Sequence, residues 1–521
     1  MEEKNSTVGG SHAADPTIPP DPLPDQDGGV ATSTTPSSVS DPHKLERPAS
    51  RDSNTLTTRS HSPPEQPAQA TGPSTTPEPP PNGGYGWVCT ACVAIINAHT
   101  WGINSSYGVF LAHYLSTNVF PGATSLQYAF VGSLSIACAL LLSPVATITT
   151  REFGTRTTLL IGTVLEAVAL ISASFATKIW HLFLSQGVCF GFGMGFLFVG
   201  SVGIVPQWFT TRRSLANGIA TSGSGIGGLM YSLATGAMIR TIGLNWAFRI
   251  LGILAFVVNA ICSLLLRDRN KIIGSKQLAF DMSLFKRTEY LLLLAYGWMS
   301  MFAYVVLLFS IANYATTVGL TASQASTVSA LLNLGQALGR PIIGYFSDAV
   351  GRINMALVAS FLAGLFSLVI WIFAKSYGVL IFFALIGGAV AGSYWTVIAP
   401  VSVEVVGLRD APSALSINWL VIAIPCIFSE PIGLGIVSHD GGHYLGAQIF
   451  VGVTYLAAAA FVIMLRGWKI AEVNAVAAEK GVAAEQVDAV QLDNENELVR
   501  TMSKKEGRRR MLVDMYKWGK V

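Results

Sequence analysis

Twelve apolar runs, each long enough to cross a bilayer, decide what this chain can fold into. They occupy 87–112, 124–147, 157–176, 180–206, 214–238, 246–266, 289–315, 323–347, 353–374, 377–403, 411–437 and 443–466. A helix needs about 20 apolar residues to span the hydrocarbon. The runs are continuous rather than alternating. They therefore exclude a membrane β-barrel and call for helices whose backbone groups bond within the segment. Charged residues make up 12% of the chain, against about 25% in a soluble protein. The expected fold class is an all-α membrane protein with twelve transmembrane helices.

The longest connection between runs, 267–288, lies between the sixth and seventh and divides the chain 6+6. It is basic, with Arg267, Arg269, Lys271, Lys276, Lys286 and Arg287. The expected domains are an N-terminal tail (1–86), a first six-helix bundle (87–266), the central loop (267–288), a second six-helix bundle (289–466) and a C-terminal tail (467–521). Residues 1–81 hold 16 of the 24 prolines. Such a segment buries too little apolar surface to offset its ordering entropy, so it is expected to be disordered. Its Ser62-Pro63 step is a candidate phosphorylation site, or the tail is a plain solvated tether. The C-terminal tail is partly amphipathic over 470–499. It ends in Lys504, Lys505, Arg508, Arg509 and Arg510, a cluster that either stays solvated or attracts anionic lipid. Residues 1–5 are acidic and no apolar run precedes Trp87, so the first membrane helix is expected to direct insertion.

Orientation follows from Lys and Arg in the short connections. One alternate set holds twelve, among them Arg151, Arg156, Arg212, Arg213, Arg352 and Arg409; the other holds Lys178, Arg240 and Lys375. The richer set is expected to face the cytosol, which places both tails there, in the plasma membrane or the vacuolar membrane. Asn104-Ser-Ser matches a glycosylation sequon but falls inside the first helix.

Several function classes drop out. A net charge of +3 with no basic stripe does not suit a nucleic-acid partner. The six cysteines all sit in apolar runs, and Cys89-x-x-Cys92 has no second pair or neighbouring His, so no metal site or cofactor is expected. Gly187, Gly191, Gly193 and Gly195 lie inside a long apolar helix with no strand before them. They signal close helix packing, not a nucleotide loop. No Walker motif and no catalytic constellation occurs, which disfavours ATP-driven transport and an enzyme.

Three motifs narrow the reading. Gly344-Tyr-Phe-Ser-Asp348-Ala-Val-Gly351-Arg352 resembles the G-x-x-x-D-x-x-G-R loop of the major facilitator superfamily. The corresponding first-half segment, 143–156, keeps Arg151, Gly154 and Arg156 but has no Asp. Asn82-Gly83-Gly84-Tyr85-Gly86-Trp87 is similar to the D-G-G-x-G-W motif that opens the first helix in the monocarboxylate porter family. Phe209-Thr-Thr-Arg212-Arg213-Ser-Leu-Ala-Asn217-Gly218 and the residues to Ser224 resemble that family's F-x-x-R-R-x-L-A-N-G-x-A-x-x-G-S stretch. The N-terminal tail and the Tyr107-Gly-Val-Phe110 sequence look most like fungal members. The resemblance covers about 87–466.

The resemblance implies the major facilitator fold of two six-helix bundles, alternating access around a central cavity, and often proton-linked transport of monocarboxylates. The chain departs from the pattern in three places. Asn82 stands for the motif's Asp. Ser106 stands where animal lactate carriers have Lys. Gln336 stands for the Asp four residues before the retained Arg340. Fungal relatives include riboflavin carriers and carriers encoded beside secondary-metabolite genes, which suit a more neutral site.

Candidate substrate-binding residues are Arg340, Gln336, Asn333, Asn97, Asn104 and Asn418. Asn333, Gln336 and Arg340 follow i, i+3, i+7 spacing and share a helix face. Arg340 either grips a substrate carboxylate or pairs with Asp348 near a helix end. Polar tips among aromatic walls, such as Tyr394, Trp395 and Trp419, suit a mid-sized organic ligand. Glu166 and Glu430 are the candidates for carrying coupling protons, and Glu404 is expected to pair with Arg409. Asp348, Gly351, Arg352, Arg212 and Arg213 form the expected gating motif. The function expected is secondary or facilitative transport of a small organic acid or mid-sized metabolite. Export of a secondary metabolite, riboflavin-like carriage and a non-transporting nutrient sensor are the alternatives. The expected partners are a small-molecule substrate, the lipid bilayer and protons as coupling ion.

Overall fold

The computed structural model describes residues 80–117 and 119–480, apart from a few side chains that include Glu430. The expectations for the proline-rich tail, Ser62-Pro63, the terminal basic cluster and the Glu430 side chain lie outside them.

Among the described residues the chain forms twelve helical rods. They are α1 (85–117), α2 (125–153), α3 (Thr155–Ala173), α4 (Ile179–Gln207), α5 (Arg213–Ile242), α6 (Leu244–Leu265), α7 (Thr288–Thr317), α8 (Ala322–Val350), α9 (Arg352–Trp371), α10 (Tyr377–Val406), α11 (Ala411–His439) and α12 (Leu445–Lys480). The rods match the apolar runs one for one, with ends shifted by a few residues. The largest change is α12, which continues beyond 466 and pairs Lys469 with Glu472 at 2.9 Å.

Breaks in the rods have local causes. In α1, Thr100 and Ser106 interrupt the helix, and their hydroxyls bond back to the carbonyls of Ile96 and Ile103. Such back-bonding competes with the helical ladder. In α2 the axis bends by 44° between Leu141 and Ser143. Pro144 follows and removes a backbone donor. The two halves repeat one turn geometry that the first-half motif only hinted at. Gly154 between α2 and α3 and Gly351 between α8 and α9 both stand in the left-handed region, at φ 85° and 111°. A side chain there is strained, which is why both loops keep Gly though only one keeps Asp.

Nine rods are long and apolar enough to cross a membrane alone, and α2 qualifies as a bent pair. The two remaining rods, α5 and α8, are the more polar ones, and they pack against each other. A Cβ on Gly218 would strike the Arg340 carbonyl, one on Gly225 would come 2.9 Å from the Ala337 Cβ, and one on Gly344 would strike the Ser214 carbonyl. On its other side α5 lies on α1, with Gly223 and Gly227 against the Ala94 and Ala98 carbonyls. Small residues allow these backbone approaches. Mutual packing shields the polar faces of α5 and α8 from lipid.

One end of the bundle carries Arg151, Arg212, Arg352 and the central loop; we call it the basic end. The central loop is not free there. Lys276 and Arg287 reach Asp410, at 3.2 and 3.5 Å. The Gln207 amide donates to Asn270 Oδ1 at 2.9 Å. The loop thus straps the α4–α5 connection to the α10–α11 turn.

Candidate functional site

Arg340 lies ten residues from the end of α8. At 1.5 Å per residue that is about 15 Å, half of a roughly 30 Å hydrocarbon core. It is 4% exposed. Its Nη1 donates to the Thr221 carbonyl at 2.6 Å and to the Ser224 hydroxyl, both on α5. Its Nη2 donates to Gln336 Oε1 at 2.9 Å. The same Gln336 oxygen accepts from the Tyr304 hydroxyl of α7 at 2.9 Å, and the Gln336 amide donates to Asn333 Oδ1 at 3.4 Å. The predicted face of Asn333, Gln336 and Arg340 is therefore one connected chain of hydrogen bonds. Nε of Arg340 has no acceptor among the described residues. On the α10 side Gly392 makes room: a Cβ there would stand 2.8 Å from Gln336 Oε1 and 3.2 Å from Arg340 Nη2.

Arg340 does not pair with Asp348, which corrects one of the two roles expected for it. Asp348 accepts instead from the backbone amides of Ser214 and Leu215, both at 2.9 Å. These are first-turn donors of α5 with no intrahelical partner, and a carboxylate at a helix N-terminus also meets the positive end of its dipole. Arg352 lies 3.7 Å from Asp348, donates to the Thr210 carbonyl at 2.6 Å, and forms an ion pair with Glu404 at 2.8 Å. Glu404 thus pairs with Arg352, not with Arg409 as expected, because α9 and α10 bring the two together at the basic end. Arg213 is buried and donates to the Phe209 carbonyl at 2.9 Å, whereas Arg212 is exposed.

The remaining asparagine candidates stand apart from this chain. Asn97 donates to the Ala220 carbonyl at 2.9 Å and so staples α1 to α5. Asn104 donates to Ser135 Oγ at 2.6 Å, joining α1 to α2. Asn418 and the Tyr394 hydroxyl bond reciprocally at 2.8 and 3.0 Å between α11 and α10. Glu166 is fully buried between α3 and α6.

Residues outside the expected set also line the contact between halves. Tyr304, Thr221 and Ser224 partner the Arg340 chain. Asn217 donates to the Thr396 carbonyl of α10 at 2.5 Å. It lay inside the quoted α5 stretch, so its position in that motif was the available signal. Trp101 of α1 meets Trp395 of α10 at 5.2 Å between ring centres, Trp395 stacks on Trp419 of α11 at 5.7 Å, and Phe198 of α4 meets Trp419 at 4.9 Å. Tyr304 reaches Trp395 at 6.5 Å. The indole N–H groups of Trp101 and Trp419 have no acceptor among the described residues. An arginine and aromatic walls with free donors, held between two helix bundles, can bind an organic anion.

The departures from the family pattern take on structural meaning. Asn82 Oδ1 accepts from the amides and hydroxyls of Thr210 and Thr211, at 2.6 to 3.3 Å. Only an acceptor is needed there, and an amide oxygen supplies it. Ser106 is buried at the second break of α1.

The family model described as Major Facilitator Superfamily matches residues 89–315 and 292–487. The chain belongs to the major facilitator superfamily. The Probable transporter MCH2 of Saccharomyces cerevisiae is 33% identical over 413 residues, covering 78% of this chain and 87% of MCH2. Monocarboxylate transporter 10 of Rattus norvegicus is 28% identical over 409 residues, covering 74% and 79%. Within the superfamily the chain is thus a fungal-type member of the monocarboxylate porter family. FucP, a superfamily transporter solved in the outward conformation, aligns at a TM-score of 0.58 with 13% identity, over 73% of this chain and 99% of FucP. At that identity the likeness is one of fold, and it agrees with twelve helices in two six-helix bundles. This facilitator is a multi-pass membrane transporter.

Proposed function

We propose that this transporter moves a small organic acid, or a mid-sized metabolite that bears a carboxylate, by alternating access, with Arg340 as the anion anchor. One observation carries the reading. Arg340 is a buried guanidinium, about 15 Å along α8 from the basic end, whose recorded partners are all neutral and whose Nε still lacks an acceptor among the described residues. A charge inside a membrane helix is costly and usually serves a pathway, and a forked carboxylate contact would neutralise it. Gln336 and Asn333 position the guanidinium, and the Trp395–Trp419 stack forms an apolar wall. Gln336 stands where lactate carriers place an acid, so coupling through a carboxylate beside Arg340 is not part of this reading.

Alternating access needs a closure that can be undone. The gating motif supports one: Asp348 on the α5 amides and Arg352 on the Thr210 carbonyl hold the halves together at the basic end. The Lys and Arg distribution supports placing that end, and both tails, in the cytosol. A metabolite comparison of cells with and without the gene, inside and outside, tests the reading. The expected result is a shifted partition of one or a few carboxylate compounds, and the sign of the shift gives uptake or export. A shift confined to uncharged compounds would refute the anion anchor. No shift, together with ligand binding, would favour a nutrient sensor.

A further inference from the structure

Away from Arg340, the first bundle buries a second ionisable group. Glu166 of α3 and Asn259 of α6 are both 0% exposed. The Asn259 Nδ2 donates to Glu166 Oε2 at 2.7 Å. Two oxygens of this pair, Glu166 Oε1 and Asn259 Oδ1, are buried with no hydrogen-bond partner among the described residues. Both are acceptors if the carboxyl is ionised, so neither can satisfy the other. A Cβ on Gly193 would lie 2.5 Å from the Glu166 nitrogen and 2.8 Å from its Cα, so the α4 backbone lies directly on α3 at this level. Apart from Arg249, the titratable groups on the helices around Glu166 are neutral in their ordinary state. Cys189 of α4 donates to the adjacent Leu165 carbonyl at 3.4 Å, and Tyr231 is buried on α5. From α1, His99 packs on Tyr231 at 5.6 Å and its ring nitrogen meets the Ile95 carbonyl. On α6, Arg249 is spent on Ser174, and Cys262 faces Cys92 of α1. No cationic side chain among the described residues is recorded against the carboxyl.

We propose that Glu166 and Asn259 are a proton-binding site: Glu166 holds a proton on Oε1 and donates it to Asn259 Oδ1, closing an acid–amide ring that bridges α3 and α6. One proton turns one of the two stranded acceptors into a donor and satisfies both at once. It also removes a charge from a carboxyl that is 0% exposed and has no cation recorded against it among the described residues, and a buried group in that position neutralises. An acid and a primary amide are complementary in this way because each offers one donor and one acceptor on a planar group. Glu166 is then a neutral link inside the first bundle.

Infrared spectroscopy on the purified full chain in lipid tests the site directly. The wild type at pH 7.5 should show the carbonyl stretch of a protonated carboxylic acid. The stretch should shift in deuterium oxide, disappear in Glu166→Gln, and move to the position of a non-bonded acid in Asn259→Leu. A wild-type minus Glu166→Gln difference that holds only carboxylate bands would overturn the proposal. So would an acid band that Asn259→Leu leaves in place, a comparison that needs no folded glutamine variant. Thermal unfolding gives a second readout. Glutamine copies the protonated acid, so Glu166→Gln should melt with the wild type while Glu166→Ala melts well below it. Equal destabilisation by the two would count against the ring.

Discussion

At Arg340, the cost of a buried charge is met by hydrogen bonds alone. The guanidinium uses the Thr221 carbonyl, the Ser224 hydroxyl and Gln336, and keeps Nε for another acceptor. A hydrogen bond to a charged group contributes about 1.5–3 kcal/mol. Arg340→Ala should therefore weaken apparent affinity for a carboxylate substrate by roughly 10- to 150-fold, with membrane levels unchanged. Arg340→Lys keeps the charge but loses the fork and should recover only part. Uptake or efflux against substrate concentration reads both. Asn82 gives the opposite expectation. Its oxygen caps the Thr210–Thr211 turn, so Asn82→Ala should lower stability by about 0.5–2 kcal/mol, while Asn82→Asp should stay close to wild type in thermal unfolding. The shared face of Asn333, Gln336 and Arg340 was legible from spacing because a helix fixes it. Their partnership with Tyr304, Thr221 and Ser224 was not, although the α5 motif runs through Thr221 to Ser224, since these residues sit on other helices and spacing within one helix does not say what it faces.

Among the elements, α5 and α8 bear most of the contact between halves. Their apolar content is the lowest of the rods, yet both were legible as helices because the runs on each side left no other reading. What sequence did not reveal was which backbone each glycine faces: Gly218 and Gly344 the opposite rod, Gly223 and Gly227 α1, and Gly335 and Gly339 α10. Gly223 lies against the Ala94 carbonyl, so Gly223→Leu should prevent α1 from seating on α5. Loss of folded, detergent-stable protein in size-exclusion chromatography would register it. The same logic places Asp348. Its carboxylate caps the first turn of α5, so Asp348→Ala should loosen the basic end rather than the Arg340 site. Cysteines introduced near Ser214 should then label faster with a membrane-permeant reagent, while apparent substrate affinity changes little. The expected Glu404–Arg409 pair failed for a related reason. Closeness in sequence favoured Arg409, but the turn between α10 and α11 directs Asp410 to the central loop and leaves Glu404 to Arg352.

For the whole molecule, the recorded hydrogen bonds between halves run from Arg340 to the basic end, with Ser143 on the Ser416 carbonyl at 2.9 Å and Ser347 on Ser214 at 3.2 Å. A carrier must break these contacts in each cycle. The Ser214 and Ser347 hydroxyls are 3.2 Å apart, so cysteines at 214 and 347, in a chain with its six native cysteines replaced, are expected to form a disulfide. Oxidation should stop transport and reduction should restore it; transport that continues under full cross-linking would mean the halves do not part there. The twelve-helix plan was legible because a bilayer permits few solutions. The closure was not, since it depends on which ends of the bundles meet. The most direct measurement is counterflow in proteoliposomes, using the carboxylate compound that the metabolite comparison identifies. Wild-type protein should exchange labelled for unlabelled substrate across the membrane, and Arg340→Ala should lose that exchange while remaining folded. Binding without exchange in the wild type, or full exchange in Arg340→Ala, would contradict a carrier anchored on Arg340.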